Sequence, residues 1–95
     1  MTAFLIANFT ILDAERMQDY AEAAGPTLTA HGGEFVFKGA LAETLLGQRS
    51  GPNVAVVRFP SLDAAQSWYH SPEYKALTDL RASAAQMEFA LFEAA

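Results

Sequence analysis

Four short segments of the chain are rich in Phe, Val, Ile and Leu and are bounded by turn-forming or charged residues. Each segment is too short for a full helical pattern, and such segments are typical of β-strands. The pattern of apolar and polar positions therefore predicts strands at Ala3–Ile11, Glu34–Lys38, Val54–Phe59 and Gln86–Glu93.

Between the first two strands, apolar residues recur at helical spacing over residues 14–30, which predicts a helix. Asp13 precedes this segment and is a favourable N-cap. We expect Gly25-Pro26 to kink or shorten the helix, because proline lacks an amide hydrogen. The glycines after His31 should end it, since glycine readily adopts the left-handed conformation, and His31 is expected to cap the C-terminus.

The stretch 59–77 predicts the end of the third strand, then a second helical region with a break inside it. Ser61 is its N-cap, and Ser71 can cap a new helix that has Pro72 at its first position. Aromatic side chains near the break are expected mainly to bury their rings against the sheet or a partner subunit, because aromatic residues dominate cores and interfaces. These side chains are Trp68, Tyr69 and Tyr74.

The predicted order is strand, helix, strand, strand, helix, strand, with a long loop at Gly39–Asn53 between the second and third strands. This order predicts an α+β, ferredoxin-like fold, in which a four-stranded antiparallel sheet carries both helices on one face. At 95 residues, the chain is expected to form a single domain, 1–95.

The predicted strands are apolar on both faces, which is unusual for a sheet that has water on one side. In the first strand, Leu5 and Phe9 lie on one face, while Phe4 and Ile6 lie on the other. The helix-free face therefore needs a cover, and the same face of a second copy is the simplest one. We expect a homodimer with facing sheets, which would bury about 800 Å² per subunit.

The composition of the chain limits the partners that it can bind. Hydrophobic residues make up 52% of the chain and charged residues only 18%, which favours a further apolar contact between subunits. The net charge of -5, without a basic run, disfavours nucleic acids and anionic membranes. No apolar run approaches the roughly 20 residues of a membrane-spanning helix, and the first residues lack a basic lead-in. A cytoplasmic location is therefore expected.

Neither a metal site nor a cofactor is expected. The chain has two histidines and no cysteine, and the spacing of its titratable residues matches no metal-binding motif. A glycine-rich phosphate loop and a nucleophile elbow are also missing from the sequence.

Polar residues interrupt the apolar row on the helix-free face, and this pattern is typical of a small-molecule site. By strand parity, Asn8 and Arg58 lie on this face, and Lys38 or Glu34 and Glu88 could join them. We predict a cavity between this face and the aromatic helix break. Its expected ligand-binding residues are Asn8, Lys38, Arg58, Tyr69, His70 and Tyr74.

Arg58 would hold an anionic or carbonyl oxygen of the ligand, and His70 or a tyrosine would donate a proton. His70 and Tyr69 are therefore the candidate catalytic residues. The alternative is that Arg58 and Glu88 pair with each other across the dimer, because a buried charge must be paired. In that case the interior is filled, and His70 is a surface or hydrogen-bonding residue.

Three segments of the chain resemble the domain of unknown function 1330 family. They are Ser67–Tyr74 with the sequence SWYHSPEY, His31–Phe35 and Phe37–Gly39. The resemblance covers almost the whole chain and implies a dimeric α+β barrel, the superfamily that also holds small heme-degrading and antibiotic-biosynthesis monooxygenases. Lys38 stands where members often carry arginine, which weakens an anion-binding role there, because lysine lacks a bidentate fork.

These observations lead to two hypotheses of different classes. The first is a homodimeric small-molecule-binding protein, whose enzymatic form would be a cofactor-independent oxygenase, isomerase or dehydratase. The second is a non-catalytic dimeric binding or accessory module, whose interior would have no cavity of roughly 300 Å³ or more.

Overall fold

A four-stranded antiparallel sheet forms the centre of the structure, a computed structural model that describes residues 1–94. The strands are β1 (Ala3–Ile11), β2 (Glu34–Ala40), β3 (Asn53–Phe59) and β4 (Ala85–Glu93). They are arranged in the order β2-β3-β1-β4, and the helical regions pack on one face of the sheet. The predicted ferredoxin-like α+β architecture is confirmed.

The first helix, α1 (Ala14–Ala30), begins and ends where its capping residues predict. The Asp13 carboxylate accepts a hydrogen bond from the amide of Arg16 at 2.9 Å, as an N-cap does. The helix continues through Gly25-Pro26 and is not shortened there. It ends at Ala30, two residues before Gly32, whose φ of 81° is the left-handed conformation that glycine tolerates. None of the helices in residues 1–94 has the length and apolar character that spanning a membrane would require.

The second helical region is divided into α2 (Leu62–Tyr69), α3 (Pro72–Lys75) and α4 (Thr78–Ala84). The predicted break lies at Ser71, whose hydroxyl accepts a hydrogen bond from the Tyr74 amide at 3.2 Å and donates one to the Trp68 carbonyl at 2.7 Å. One buried side chain therefore joins the end of α2 to the start of α3. The second break, between α3 and α4, was not predicted.

The core lies between the helices and one face of the sheet. Leu5 of β1 pairs with Val57 of β3 on this face, and both side chains are buried. The largest fully buried side chains are Phe59, Trp68 and Tyr74. The centroid of the Trp68 ring lies 4.2 Å from that of Tyr74 and 5.8 Å from that of Phe59. The packing role expected of the aromatic rings is therefore confirmed for Trp68 and Tyr74.

The opposite face of the sheet carries no helix within residues 1–94, and we call it the helix-free face. Phe4, Ile6 and Val56 lie along its middle. Phe37 and Phe92 lie farther out and are 53% and 56% exposed, respectively. An apolar surface of this kind, continuous across four strands, is typical of a binding surface.

β2 contains a β-bulge between Phe35 and Phe37, which pair with adjacent residues of β3. The extra residue reverses the alternation of side chains along the rest of the strand. Lys38 therefore lies on the helix-covered face with Phe35, whereas regular alternation would place it with Glu34 on the helix-free face. The prediction that Lys38 could join Arg58 on the helix-free face is wrong for this reason.

The loop between β2 and β3 contacts the end of β1. Its backbone is closed by a hydrogen bond from the Leu41 amide to the Pro52 carbonyl. The side chain of Asn53, where the loop ends, donates a hydrogen bond to the Phe9 carbonyl at 3.3 Å. Leu45 and Leu46, in the middle of the loop, are 87% and 94% exposed, respectively. The loop is thus fixed at its ends and projects apolar side chains into solvent at its tip.

We expect Gly51→Ala to destabilise the protein more than Gly47→Ala. Both glycines have a φ of 81°, so each alanine costs about 1–2 kcal/mol in the left-handed conformation. At Gly51 the new Cβ would also lie 2.8 Å from backbone atoms of Phe9, whereas at Gly47 nothing lies within 4 Å. Urea denaturation followed by circular dichroism measures the difference, and equal losses would contradict a close contact between loop and β1.

Candidate functional site

Residues that were predicted to line one cavity lie on opposite faces of the sheet. Asn8 and Arg58 lie on the helix-free face, whereas Tyr69 and Tyr74 pack between the helices and the other face. Residues 1–94 do not form the predicted cavity between the helix-free face and the helix break. That prediction is wrong because the break belongs to the helical layer, which covers the opposite side of the sheet.

On the helix-free face, Arg58 forms an ion pair with Glu34 of the neighbouring strand, in which its Nε lies 3.1 Å from the carboxylate. The two side chains are 51% and 63% exposed, so the pair contributes little to stability. Arg58 does not pair with Glu88 within the chain. Glu88 instead lies opposite Asn8, whose side-chain oxygen accepts a long hydrogen bond of 3.5 Å from Arg49.

A cavity of about 360 Å³ lies on the helix-covered face, between α2, α4 and β4. We call it the aromatic cavity. Its walls are mostly aromatic and aliphatic, and Arg81 is the one charged side chain in them within residues 1–94. The lining includes Leu5, Trp68, Tyr69, Arg81, Met87 and Phe89.

Arg81 presents a positive charge to the aromatic cavity. Its Nη1 donates a hydrogen bond to the Tyr74 hydroxyl at 2.9 Å, and its guanidinium carbon lies 5.5 Å from the Tyr74 ring centroid and 5.7 Å from that of Phe89. No acidic side chain of residues 1–94 forms an ion pair with it. Burial lowers the pKa of Arg81, but the hydrogen bond to Tyr74 and the proximity of Tyr74, Tyr20 and Tyr69 together raise it, and the net shift is upward. The guanidinium therefore stays charged.

A pair of phenols extends from Arg81 into the core. The hydroxyls of Tyr20 on α1 and Tyr74 on α3 lie 2.6 Å apart, and both side chains are buried. Burial, followed by the proximity of Tyr74, raises the pKa of Tyr20 above its usual value. Tyr20 is therefore a neutral phenol, and the three side chains form one hydrogen-bonded chain from the cavity wall to α1.

Neither Arg81 nor Tyr20 is predicted as a site residue from the sequence. Arg81 follows Tyr74 by seven residues, which would place both on one side of a continuous helix. That spacing is a usable signal, although the break between α3 and α4 weakens it. Tyr20 fits the apolar positions of α1 and gives no separate sign of a polar contact, so only the fold brings its hydroxyl to Tyr74.

Of the two candidate catalytic residues, Tyr69 lines the aromatic cavity and His70 does not. His70 is exposed at the C-terminus of α2, with its ring centroid 5.2 Å from that of Tyr69. The Lys75 ammonium lies over the Tyr69 ring, 4.1 Å from its centroid. A role for Tyr69 or His70 in binding or catalysis stays a prediction.

A second cavity of about 90 Å³ lies between α1 and the sheet, and we call it the α1 cavity. Lys38 contributes to its lining, together with Phe35, whose ring centroid lies 4.1 Å from the Lys38 ammonium. The rest of the lining is almost wholly apolar and includes Met17, Leu28 and Val57. The bulge in β2 is what places Lys38 here.

Residues 1–94 contain no group of three or more His, Asp or Glu side chains that could hold a metal ion. The polar groups at the aromatic cavity are phenols and a guanidinium. A guanidinium has only hydrogen-bond donors, and phenols both donate and accept. This set of groups suits an anionic or carbonyl oxygen.

Comparison with known families gives one match. The model of a family described as a domain of unknown function, DUF1330, matches residues 2–95. No curated protein matches the chain by sequence.

Several solved structures share the fold but little sequence. A protein of unknown function from Rhodopseudomonas palustris is 18% identical with a TM-score of 0.80, covering 99% of this chain and 82% of that one. SnoaB, a cofactor-independent oxygenase from Streptomyces nogalater, is 17% identical with a TM-score of 0.72, covering 99% and 93%. A dimeric ferredoxin-like protein of unknown function from Thermobifida fusca is 17% identical with a TM-score of 0.62, covering 97% and 90%. At these identities the likeness shows the fold alone.

Tyr74→Phe removes the hydroxyl that joins Tyr20 to Arg81. We expect it to lower the free energy of unfolding by about 1–3 kcal/mol, because the buried Tyr20 hydroxyl loses its partner. Tyr69→Phe is the matched control, since the Tyr69 hydroxyl has no hydrogen-bond partner within residues 1–94. Its expected change is within about 0.5 kcal/mol. Urea denaturation compares the two variants, and similar losses would argue against the hydrogen-bonded chain.

Proposed function

The chain belongs to the DUF1330 family, and we propose that it binds a small organic anion in the aromatic cavity. The observation behind this proposal is the state of Arg81, a partly buried cation in an apolar wall without an acidic partner in residues 1–94. A charge in such surroundings is normally paired, because removing it from water is costly. A carboxylate or enolate of a ligand would supply the missing negative charge.

The size and walls of the aromatic cavity support the same proposal. Its volume of about 360 Å³ falls within the range of roughly 300–1,000 Å³ that is usual for ligand sites. Trp68, Tyr69 and Phe89 offer ring surfaces to the apolar part of a ligand. The hydrogen bond from Arg81 to Tyr74 holds the guanidinium in place before a ligand arrives, which reduces the entropic cost of binding.

Catalysis without a cofactor is the enzymatic form of this proposal. SnoaB, which shares the fold, is a cofactor-independent oxygenase, and this supports chemistry that needs only side chains of the protein. Arg81 would stabilise negative charge on an oxygen of the substrate, and the phenol of Tyr69, which lines the cavity, would transfer a proton. Non-catalytic binding is the second candidate, because the cavity lining within residues 1–94 contains neither histidine nor carboxylate.

The test compares a carboxylate with its neutral amide. Trp68 is the only tryptophan of the chain and lies in the cavity wall, so its fluorescence should report the binding of 3-phenylpropanoate and 3-phenylpropanamide. Arg81→Gln should weaken binding of the carboxylate about tenfold or more, the equivalent of one charged hydrogen bond. Binding of the amide should change little.

Arg16→Gln is the matched control, because it removes the same charge from the exposed start of α1. It should leave both affinities unchanged. If Arg81→Gln binds the carboxylate as tightly as the unmodified protein does, the anion site is refuted.

We further propose that the protein is a homodimer whose helix-free faces pack against each other. The apolar row along this face and the exposure of Phe37 and Phe92 support it. The Thermobifida fusca protein of the same fold is dimeric. Burying both faces would remove from water the apolar surface that the helices leave open on this side of the sheet.

Phe37→Glu should shift the protein from dimer to monomer, because a carboxylate would then be buried in the apolar contact without a partner. Leu12→Glu is the control, since Leu12 is also apolar and 56% exposed but follows β1 at the edge of the helical layer. Sedimentation velocity at micromolar concentration separates the two states. A monomeric unmodified protein, or a dimeric Phe37→Glu variant, would contradict this mode of pairing.

A further inference from the structure

The aromatic cavity and the α1 cavity share part of their walls. Leu5, Trp68, Met87 and Phe89 line both of them. These shared side chains therefore stand between the two spaces, and a change in their rotamers would join the cavities into one passage. The passage would lead from Arg81 on α4 toward the C-terminal half of α1.

Met87 is the most adaptable of the shared side chains. It lies on β4, opposite Phe9, and is only partly buried. Methionine is unbranched and has three rotatable bonds, so it can move aside at low cost. Trp68, in contrast, is 1% exposed and is held by a hydrogen bond from its indole nitrogen to the Thr27 hydroxyl at 3.0 Å. The opening should therefore pass beside Met87.

The far end of this passage lies at Gly25, in the C-terminal half of α1. Glycine there relieves crowding against Pro26, because a residue with a Cβ before proline disfavours the helical conformation. The position also has open space: apart from its chain neighbours and the helix backbone, an added Cβ would meet nothing within 4 Å. Gly25 lines the α1 cavity, so a larger side chain there could project into that cavity.

We propose that the ligand is an amphiphilic carboxylate, whose unbranched apolar tail runs from Arg81 past Met87 into the α1 cavity. This inference rests on the proposed function, because it needs the carboxylate at Arg81. The α1 cavity of about 90 Å³ equals about three water volumes, so it accepts the end of a hydrocarbon chain and not a second ring. Gly25 then determines which tail lengths fit.

The experiment uses the straight-chain alkanoates from butanoate to decanoate, with Trp68 fluorescence as the readout. In the unmodified protein, affinity should rise about fourfold for each added methylene that is buried, until the tail fills the α1 cavity. In Gly25→Leu the rise should stop at a shorter chain. Decanoate should then bind about fifteenfold more weakly than in the unmodified protein, a loss of roughly two methylenes, while butanoate binds equally well.

Gly25→Ala is the matched control, because it introduces the same crowding against Pro26 but reaches less far into the cavity. It should shorten the rise in affinity by at most one methylene, because it adds a single carbon to the cavity wall. Gly25→Val, which adds fewer atoms, takes the place of Gly25→Leu if that variant does not fold.

The outcomes separate this inference from the proposed function. If Gly25→Leu keeps the full chain-length dependence while Arg81→Gln weakens every alkanoate, the tail site is refuted and the anion site stands. If Arg81→Gln has no effect on any chain length, the anion site is refuted and the tail site with it. Alkanoates that leave Trp68 fluorescence unchanged at every length would also overturn the inference.

Discussion

The hydroxyl of Ser71 holds the turn on which both the core and the candidate site depend. It bonds to the backbone on both sides of the helix break, and the rings of Trp68 and Tyr74 then lie 4.2 Å apart. In an unbroken helix, residues six positions apart point about 120° away from each other. The break therefore brings these rings together, and from there Tyr74 reaches Tyr20 and Arg81. The buried Ser71 side chain therefore determines both how the helices pack and where Arg81 lies in the cavity wall.

Most of the fold could be predicted from local sequence signals. β1 has its predicted bounds, α1 begins after Asp13, and the helix break falls at Ser71. Each of these features depends on side chains within a few positions of one another. The position of the bulge in β2, in contrast, does not depend on nearby side chains alone. The sequence of β2 fits a strand with or without the bulge. Only pairing with β3 determines where the extra residue lies and which face of the sheet Lys38 is on.

The candidate site was harder to predict, because no sequence motif marks it. Its key residue is distinguished only by the side chains that the fold packs around it. Strand parity correctly placed Asn8 and Arg58 on one face, but Glu34 on the next strand already neutralises Arg58. Arg81 is unremarkable in sequence. It becomes a candidate because three helices and β4 surround it with aromatic rings, and because no acidic side chain within residues 1–94 pairs with it. Such a site is visible only once distant segments are packed.

The bulge in β2 has a further consequence for the behaviour of the protein in concentrated solution. β2 is an edge strand, and it carries three consecutive exposed apolar side chains, Phe35, Val36 and Phe37. A flat edge of this composition would offer its free backbone groups to a strand of another molecule, which is how sheets join into aggregates. The extra residue interrupts the even spacing of those groups and increases the local twist. The irregularity that turns Lys38 toward the α1 cavity thus also makes this edge less suited to pairing with a strand of another molecule.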